Sequence, residues 1–504
     1  METRDLWLLG AALAVSLVYY LTVVRRHAAG HRGGRRLPLP PGPTPLPLIG
    51  NLLSLRGVLH HRLASLARVH GPVMMLRLGL TTAVVISSRD AAAEAFTKHD
   101  RRLAARMVPD SNRAHGFSDR SIIWLPSSDP RWKTLRGIQA THLFSPRGLA
   151  AVRGVRERKV RDMVSYFRSR AGEEVMFGEA IYSCVLNLVS SSFFSVNMAG
   201  VGSEEAHGLR ELVEELMEAV AKPNVSDLFP FLRGLDLQGW RRWTGKRMER
   251  AFTILDGIIE RRRLATDTDQ RRRGDFLDAL LDLMSEGKMA RDHVTIMLFE
   301  VFGAGSDTMS VNLEWTMAEL LRNPAAMAKA RAEVLGAGVG AAVEESDTAR
   351  MPYLQAVVKE SMRLHPVGPI LLPHRAVEDG VEVGGYAVPK GAMVLFNASA
   401  IMRDPAVWER PDEFSPERFL NRERPIDFRG KEFEYLPFGS GRRLCPGLPL
   451  AERVVPFVLA SLLHAFEWRL PDGMAAHHLD VSERFNTANV LAVPLKVVPI
   501  INAP

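Results

Sequence analysis

The sequence predicts a mainly α-helical body with a small β-rich lobe, carried behind one N-terminal transmembrane helix. Three observations carry that expectation: an uncharged apolar run of 19 residues at Leu6 to Val24, long stretches with apolar residues every third or fourth position, and two short hairpin-like pairs on either side of them. The first run, LWLLGAALAVSLVYYLTVV, spans about 28 Å as a helix, close to the roughly 30 Å hydrocarbon layer of a bilayer. A secretory signal has a shorter apolar stretch, and Arg25, Arg26, Arg32, Arg35 and Arg36 follow as a stop-transfer flank. Glu2 and Asp5 stand before the run, so the positive-inside rule puts the body in the cytoplasm. The sequons at Asn224 and Asn397 then remain unmodified.

LPLPPGPTPLPLIG, Leu37 to Gly50, follows as a stiff proline spacer expected to set the distance between membrane and body. The domain reading is 1–24 anchor, 25–50 basic flank and hinge, and 51–504 catalytic body. PVMMLRLG and TAVVISS predict one hairpin, and VEVGGYAVPKGAMVLFNAS predicts a second. VRDMVSYFRSR, AHGLRELVEELMEAVA and RMERAFTILDGIIERRR predict amphipathic helices. RRRLATDTDQRRRGD and VLGAGVGAAVEESD read as solvated loops without a role. The longest predicted helix runs from about Asp292 to Arg322, where Asn323-Pro324 ends it. FGAGSDTMS in its middle places small residues where glycine costs about 1 kcal/mol, so something flat or bulky is expected against it.

Composition narrows the chemistry. Two cysteines among 504 residues build neither a disulfide framework nor a structural zinc site. The net charge of +8 owes much to the N-terminal arginines, so no nucleic-acid partner is predicted. Cys184, in IYSCVLNLVS, reads as an inert core residue. Cys445 sits in FGSGRRLCPG directly before the apolar helix LPLAERVVPFVLASLLHAF. A helix N-terminus favours thiolate, glycines let amides approach the sulfur, and a lone thiolate suits the axial bond of haem iron better than zinc.

FGSGRRLCPG matches every fixed position of Phe-x-x-Gly-x-Arg-x-Cys-x-Gly, and the chain thereby resembles the cytochrome P450 family. KESMR with Glu360 and Arg363, PERF with Arg418, AGSDT, WKTLR and PPGP stand in the family's order over nearly the whole chain. The resemblance implies the helical haem-thiolate prism, haem b with Cys445 as axial ligand, and Phe438, Gly441 and Gly447 shaping the cysteine loop. It implies propionate binding by Trp132, Arg136 and Arg443, a bracing network of Glu360, Arg363 and Arg418, and proton relay by Asp307 and Thr308. Thr308 is also expected to turn its hydroxyl to the carbonyl of Ala304. Met309 stands where the family commonly carries a hydroxyl residue. Glu300, seven residues before Asp307, is expected on the same helix face, holding a polar group of substrate or extending the proton path.

The implied reaction is insertion of one oxygen atom from dioxygen into an apolar C–H bond. NADPH enters only indirectly, through a cytochrome P450 reductase that meets cations at Arg131, Lys133, Arg136 and Arg442. Cytochrome b5 and membrane lipid are further implied partners, at the endoplasmic reticulum. By family position the substrate contacts come from the loop near Arg113 to Trp124 and from Met297, Phe302, Ala304, Ile370, Leu371 and Val490, with His374, Asn486 and Asn489 as polar additions. The wording of the motifs is most similar to plant microsomal geraniol hydroxylases and cereal diterpenoid oxidases, implying a terpenoid substrate such as a labdane-related diterpene. The alternatives are a flavonoid or phenylpropanoid hydroxylase, a haem isomerase, and a haem sensor.

Overall fold

The computed structural model describes residues 37–502 apart from 199, 202, 266–272, 422–423 and 486. The expected anchor at 1–24, the arginine flank to residue 36 and Asn486 lie outside the described residues. β1 (Val73–Leu78) and β2 (Thr81–Ile86) form the first predicted hairpin, with Val73 opposite Ile86 and Leu78 opposite Thr81. β3 (Ala105–Arg106), β4 (His374–Arg375) and β5 (Met393–Phe396) complete a five-stranded sheet in the order β1-β2-β5-β4-β3. The second predicted hairpin is therefore divided. Val381–Val383 pairs with Tyr386–Val388, while β5 departs to run parallel to β2, burying Val394 and Phe396 in the lobe's core.

The proline segment does not stand off from the body. Pro41 O accepts Met75 N at 2.7 Å and Pro38 O accepts Ala387 N at 2.9 Å, so the spacer lies along the lobe. Proline lacks an amide hydrogen but keeps its carbonyl, which suits it to edge a sheet as an acceptor.

Seven helices position the site. α1 (Pro130–Ile138) starts with proline in its first turn behind Asp129, whose carboxylate caps Arg131 N at 2.8 Å. α2 (Phe177–Phe194) is buried on nearly every residue and packs along α5. α3 (Glu204–Ala221) begins at the cap of Ser203, and α4 (Trp240–Leu264) follows. α5 (Arg291–Arg322), the predicted long helix, is about 48 Å long at about 1.5 Å per residue. α6 (Pro352–Leu364) carries the Glu-x-x-Arg pair, and α7 (Leu448–Ala465) follows the cysteine loop. Among the described residues only α7 is long and apolar enough to cross a membrane. It is a core helix: Val454, Leu462 and Leu463 are fully buried against protein.

Two segments expected as idle loops do structural duty. Arg262, in the last turn of α4, bonds Asp275 and Asp278, with the buried Arg262–Asp275 contact at 2.8 Å. Glu345 receives the wholly buried Arg156 at 2.6 and 2.7 Å. Charge in one and glycine in the other marked the segments as solvated, yet each supplies the counterion that a buried arginine requires.

Candidate active site

The cysteine loop is a backbone construction. Cys445 N donates to Phe438 O at 3.0 Å, closing the turn. Gly441 has φ +64°, and a Cβ there would come within 2.2 Å of Asp100 Oδ1, whose carboxylate also takes Arg442 N at 3.0 Å. Only glycine fits that approach. Gly447 and Leu448, at the start of α7, present their amides to the Cys445 sulfur. The expected lowering of the thiol pKa does not follow: burial outweighs the two amides and Arg136 and pushes the thiol above its ordinary value. Bonding to a metal cation, rather than the helix end alone, would make this sulfur a thiolate.

Cys445 opens onto a cavity of about 430 Å³, which Trp132, Arg136, Arg443, Phe438 and Gly447 also line. Gly441 shapes the loop from outside it. Arg443 donates to Ala104 O at 2.7 Å, to Ile122 O at 3.1 Å and to Leu125 O. Arg136 Nη2 donates to Leu444 O at 2.9 Å. The Trp132 ring lies 4.9 Å from the Arg443 guanidinium and 5.9 Å from that of Arg136. Arg106 joins them on the cavity wall, bonded to Leu372 O and with its Nε unpartnered.

Among the described residues none of these three guanidiniums has an ion pair. Burial and the neighbouring cations push Arg106 down to about 9 and Arg443 down to about 10. Such a trio needs anions. A metal-binding thiol at one wall and paired-anion demand beside it fit an iron porphyrin with two carboxylates. Arg106 escaped the sequence reading because ARMVPD has no distinctive spacing. Its place comes from sheet register, which sets it opposite His374. His374 lines the same cavity, bonded through Nδ1 to Leu103 O at 2.8 Å, and burial holds it neutral, well below its ordinary range.

On α5 the Thr308 hydroxyl donates to Ala304 O at 2.6 Å, the geometry expected from sequence. Ala304, Thr308, Met309, Ile370 and Leu371 face the cavity. Met297 and Phe302 do not; they are 1% and 5% exposed and pack in the core, Phe302 against Phe194. Their helix faces point to α2 and its neighbours rather than to open space. Two polar residues go the other way. Asn312 and Gln139 line the cavity with buried amide atoms that lack partners, and neither was singled out by sequence.

Asp307 faces a separate crevice of about 330 Å³ with Arg210, Glu214 and Glu314, and Val490 belongs to that crevice too. Asn489 is fully buried in the strand Asn489–Leu491. Burial, reinforced by the Glu214 charge and opposed by Arg210, raises Asp307 to about 6. Met217, Thr487 and Ala488 border both spaces. Glu300 lies on the cavity side, so the shared face expected for it and Asp307 is split by that partition.

Glu360 and Arg363 are fully buried, joined at 2.8 and 3.0 Å, and Arg418 Nε reaches Glu360 at 2.9 Å. Arg363 also holds the carbonyls of Met402 and Pro411 at 3.0 and 2.8 Å. Met402 in turn offers its sulfur to Leu436 N at 3.3 Å, two residues before Phe438, which links the network to the cysteine loop. At the surface, Arg131, Lys133 and Arg442 are exposed, whereas Arg136 turns inward to the cavity. The set expected to meet a reductase therefore loses Arg136.

The Cytochrome P450 family model matches residues 40–488. Similar proteins from Oryza sativa subsp. japonica include Cytochrome P450 76M5, 84% identical over 99% of this chain and 100% of its own length. Oryzalexin E synthase is 64% identical, covering 98% of each chain. Ent-cassadiene C11-alpha-hydroxylase 1 is 63% identical over 99% of this chain and 100% of its own.

Proposed function

Because the chain belongs to the cytochrome P450 family, we propose that it hydroxylates a plant diterpenoid. It is a haem-dependent monooxygenase, and Cys445 would hold the haem iron through its thiolate. What supports the substrate class is identity of 63–64% over nearly the whole chain with relatives named for oryzalexin synthesis and ent-cassadiene hydroxylation. The cavity agrees, since Phe117, Ile123, Leu216 and Phe299 present hydrocarbon to a guest.

When bound, the haem supplies oxygen activation, and thiolate donation favours O–O cleavage. Trp132, Arg136, Arg443 and Arg106, which line the cavity, would hold its carboxylates. Two protons and two electrons convert the oxygen atom not inserted into water. Asp307 takes protons from the crevice side and is ionised above about pH 6. Thr308 presents its hydroxyl oxygen on the cavity side while its hydrogen rests on Ala304 O. Thr308→Val keeps shape but removes that hydroxyl. Product formation is expected to fall by about 10²-fold, the low end for a positioned proton group, while NADPH consumption falls much less. Equal loss of both, measured side by side, would contradict the role.

Electrons come from NADPH through a membrane-bound reductase, with cytochrome b5 as a further donor. The body is held by residues 1–24 on the cytoplasmic face of the endoplasmic reticulum. The test is co-expression of the full chain with a plant reductase, supplied with mono-, sesqui- and diterpenes and with flavonoids, products being read by mass spectrometry. Hydroxylated diterpenes are expected; turnover confined to flavonoids would replace the reading. Carbonate washing of the same microsomes reads the anchor.

A further inference from the structure

The segment from Ser121 to Leu125, which belongs to no strand or regular helix, sets Ile122, Ile123 and Trp124 into the cavity wall. Its amides therefore lack ladder partners and must be satisfied elsewhere. Ser121 N, Trp124 N and Leu125 N bond backbone carbonyls at 3.0, 3.3 and 2.9 Å, and Glu300 satisfies the two that remain, Ile122 N and Ile123 N. The residue is 6% exposed on α5; its Oε1 accepts the Ser121 hydroxyl and Ile123 N at 3.3 Å, and its Oε2 accepts Ile122 N at 3.3 Å. Ser121 Oγ then accepts Trp124 N at 3.3 Å. The same peptide faces the cofactor edge with its carbonyls: Ile122 O takes Trp132 Nε1 and Arg443 Nη1, both at 3.1 Å.

We propose that Glu300 is a positioning residue that folds Ser121–Trp124 into the cavity wall and so determines which carbon of the guest is presented for oxidation. Three donors from one segment converge on its carboxylate, which leaves the binding of a substrate polar group as a lesser role. Ile122, Ile123 and Trp124 all line the cavity, so a shift of this segment redraws the outline of the space. Burial raises the Glu300 carboxyl to about 7, and the three donors pull it the other way.

The inference rests on the monooxygenase reading but not on the diterpenoid one. The test uses full-length holoenzyme carrying Glu300→Gln, which preserves size but turns an amide N–H toward backbone donors, and Ser121→Ala, which removes one donor without touching α5. Hydrogen exchange of the peptide covering 119–125 is expected to quicken about tenfold in Glu300→Gln and by less in Ser121→Ala. The ratio of product regioisomers is expected to change in the same order, with the thiolate carbon monoxide band retained. Unchanged exchange and unchanged regioisomer ratio in both variants overturn the proposal. Loss of the thiolate band in Ser121→Ala as well as Glu300→Gln also overturns it, by making the cluster a general folding requirement. Faster exchange in an enzyme that oxidises flavonoids but no terpene sustains the positioning role while removing the substrate class.

Discussion

Cys445→Ser is expected to yield a folded chain that has lost the thiolate carbon monoxide spectrum and at least about 10³ of its turnover, or some 4 kcal/mol of barrier at 1.36 per decade. The fold should survive because the contacts fixing this loop belong to the backbone: Cys445 N on Phe438 O, Arg442 N on Asp100 and Arg136 on Leu444 O. Serine occupies nearly the same volume and keeps each of them. What it lacks is a low enough pKa. Even the cysteine thiol is pushed up by burial here, so its ionisation depends on the bond to the metal, and a hydroxyl starts several units higher. The basic trio of Arg106, Arg136 and Arg443 should still retain some haem through its carboxylates. The discriminating measurement is therefore the reduced carbon monoxide spectrum of haem-loaded variant, alongside its unfolding midpoint. A wild-type band from the serine protein would remove Cys445 as the ligand.

The residues that proved legible from sequence are those whose chemistry is local. Thr308 bonds four residues back, Glu360 bonds three residues on, and Gly441 and Gly447 serve the loop that contains them. Arg106 was not legible, since it reaches the cavity through the pairing of two-residue strands separated by more than 260 positions. Asp307 and Glu300 show the other limit. Seven residues bring two side chains to one helix face, but α3 and the segment around Thr487 divide the space before that face. Helix α2 was not delimited from sequence because its surroundings bury it all round, erasing the apolar period that revealed α3 and α4. The division of the second hairpin has the same origin: a tertiary partner, β2, outcompeted the local one for Met393–Phe396.

Arg363→Leu is expected to cost about 3–5 kcal/mol, the range for breaking a buried ion pair from one side, out of a total that for ordinary proteins is about 5–15 kcal/mol. Glu360 would remain, fully buried, with Arg418 as its remaining guanidinium and Ser415 N as its amide donor. The carbonyls of Met402 and Pro411 would lose their Arg363 bonds at the same time. Glu360→Gln should be milder. It keeps an acceptor for Ser415 N but leaves Arg363 uncompensated, although its carbonyl partners and the Trp408 ring at 5.2 Å still engage it. Because Met402 supports Leu436, the disturbance should pass to the cysteine loop, so the fraction of chain with thiolate-ligated haem should fall in the order wild type, Glu360→Gln, Arg363→Leu. Urea unfolding of each, with haem content measured in the same samples, checks both the size and the order. An Arg363→Leu protein with unchanged midpoint and full haem content would show that the ion pair is replaceable and that the cysteine loop is held by its own backbone alone.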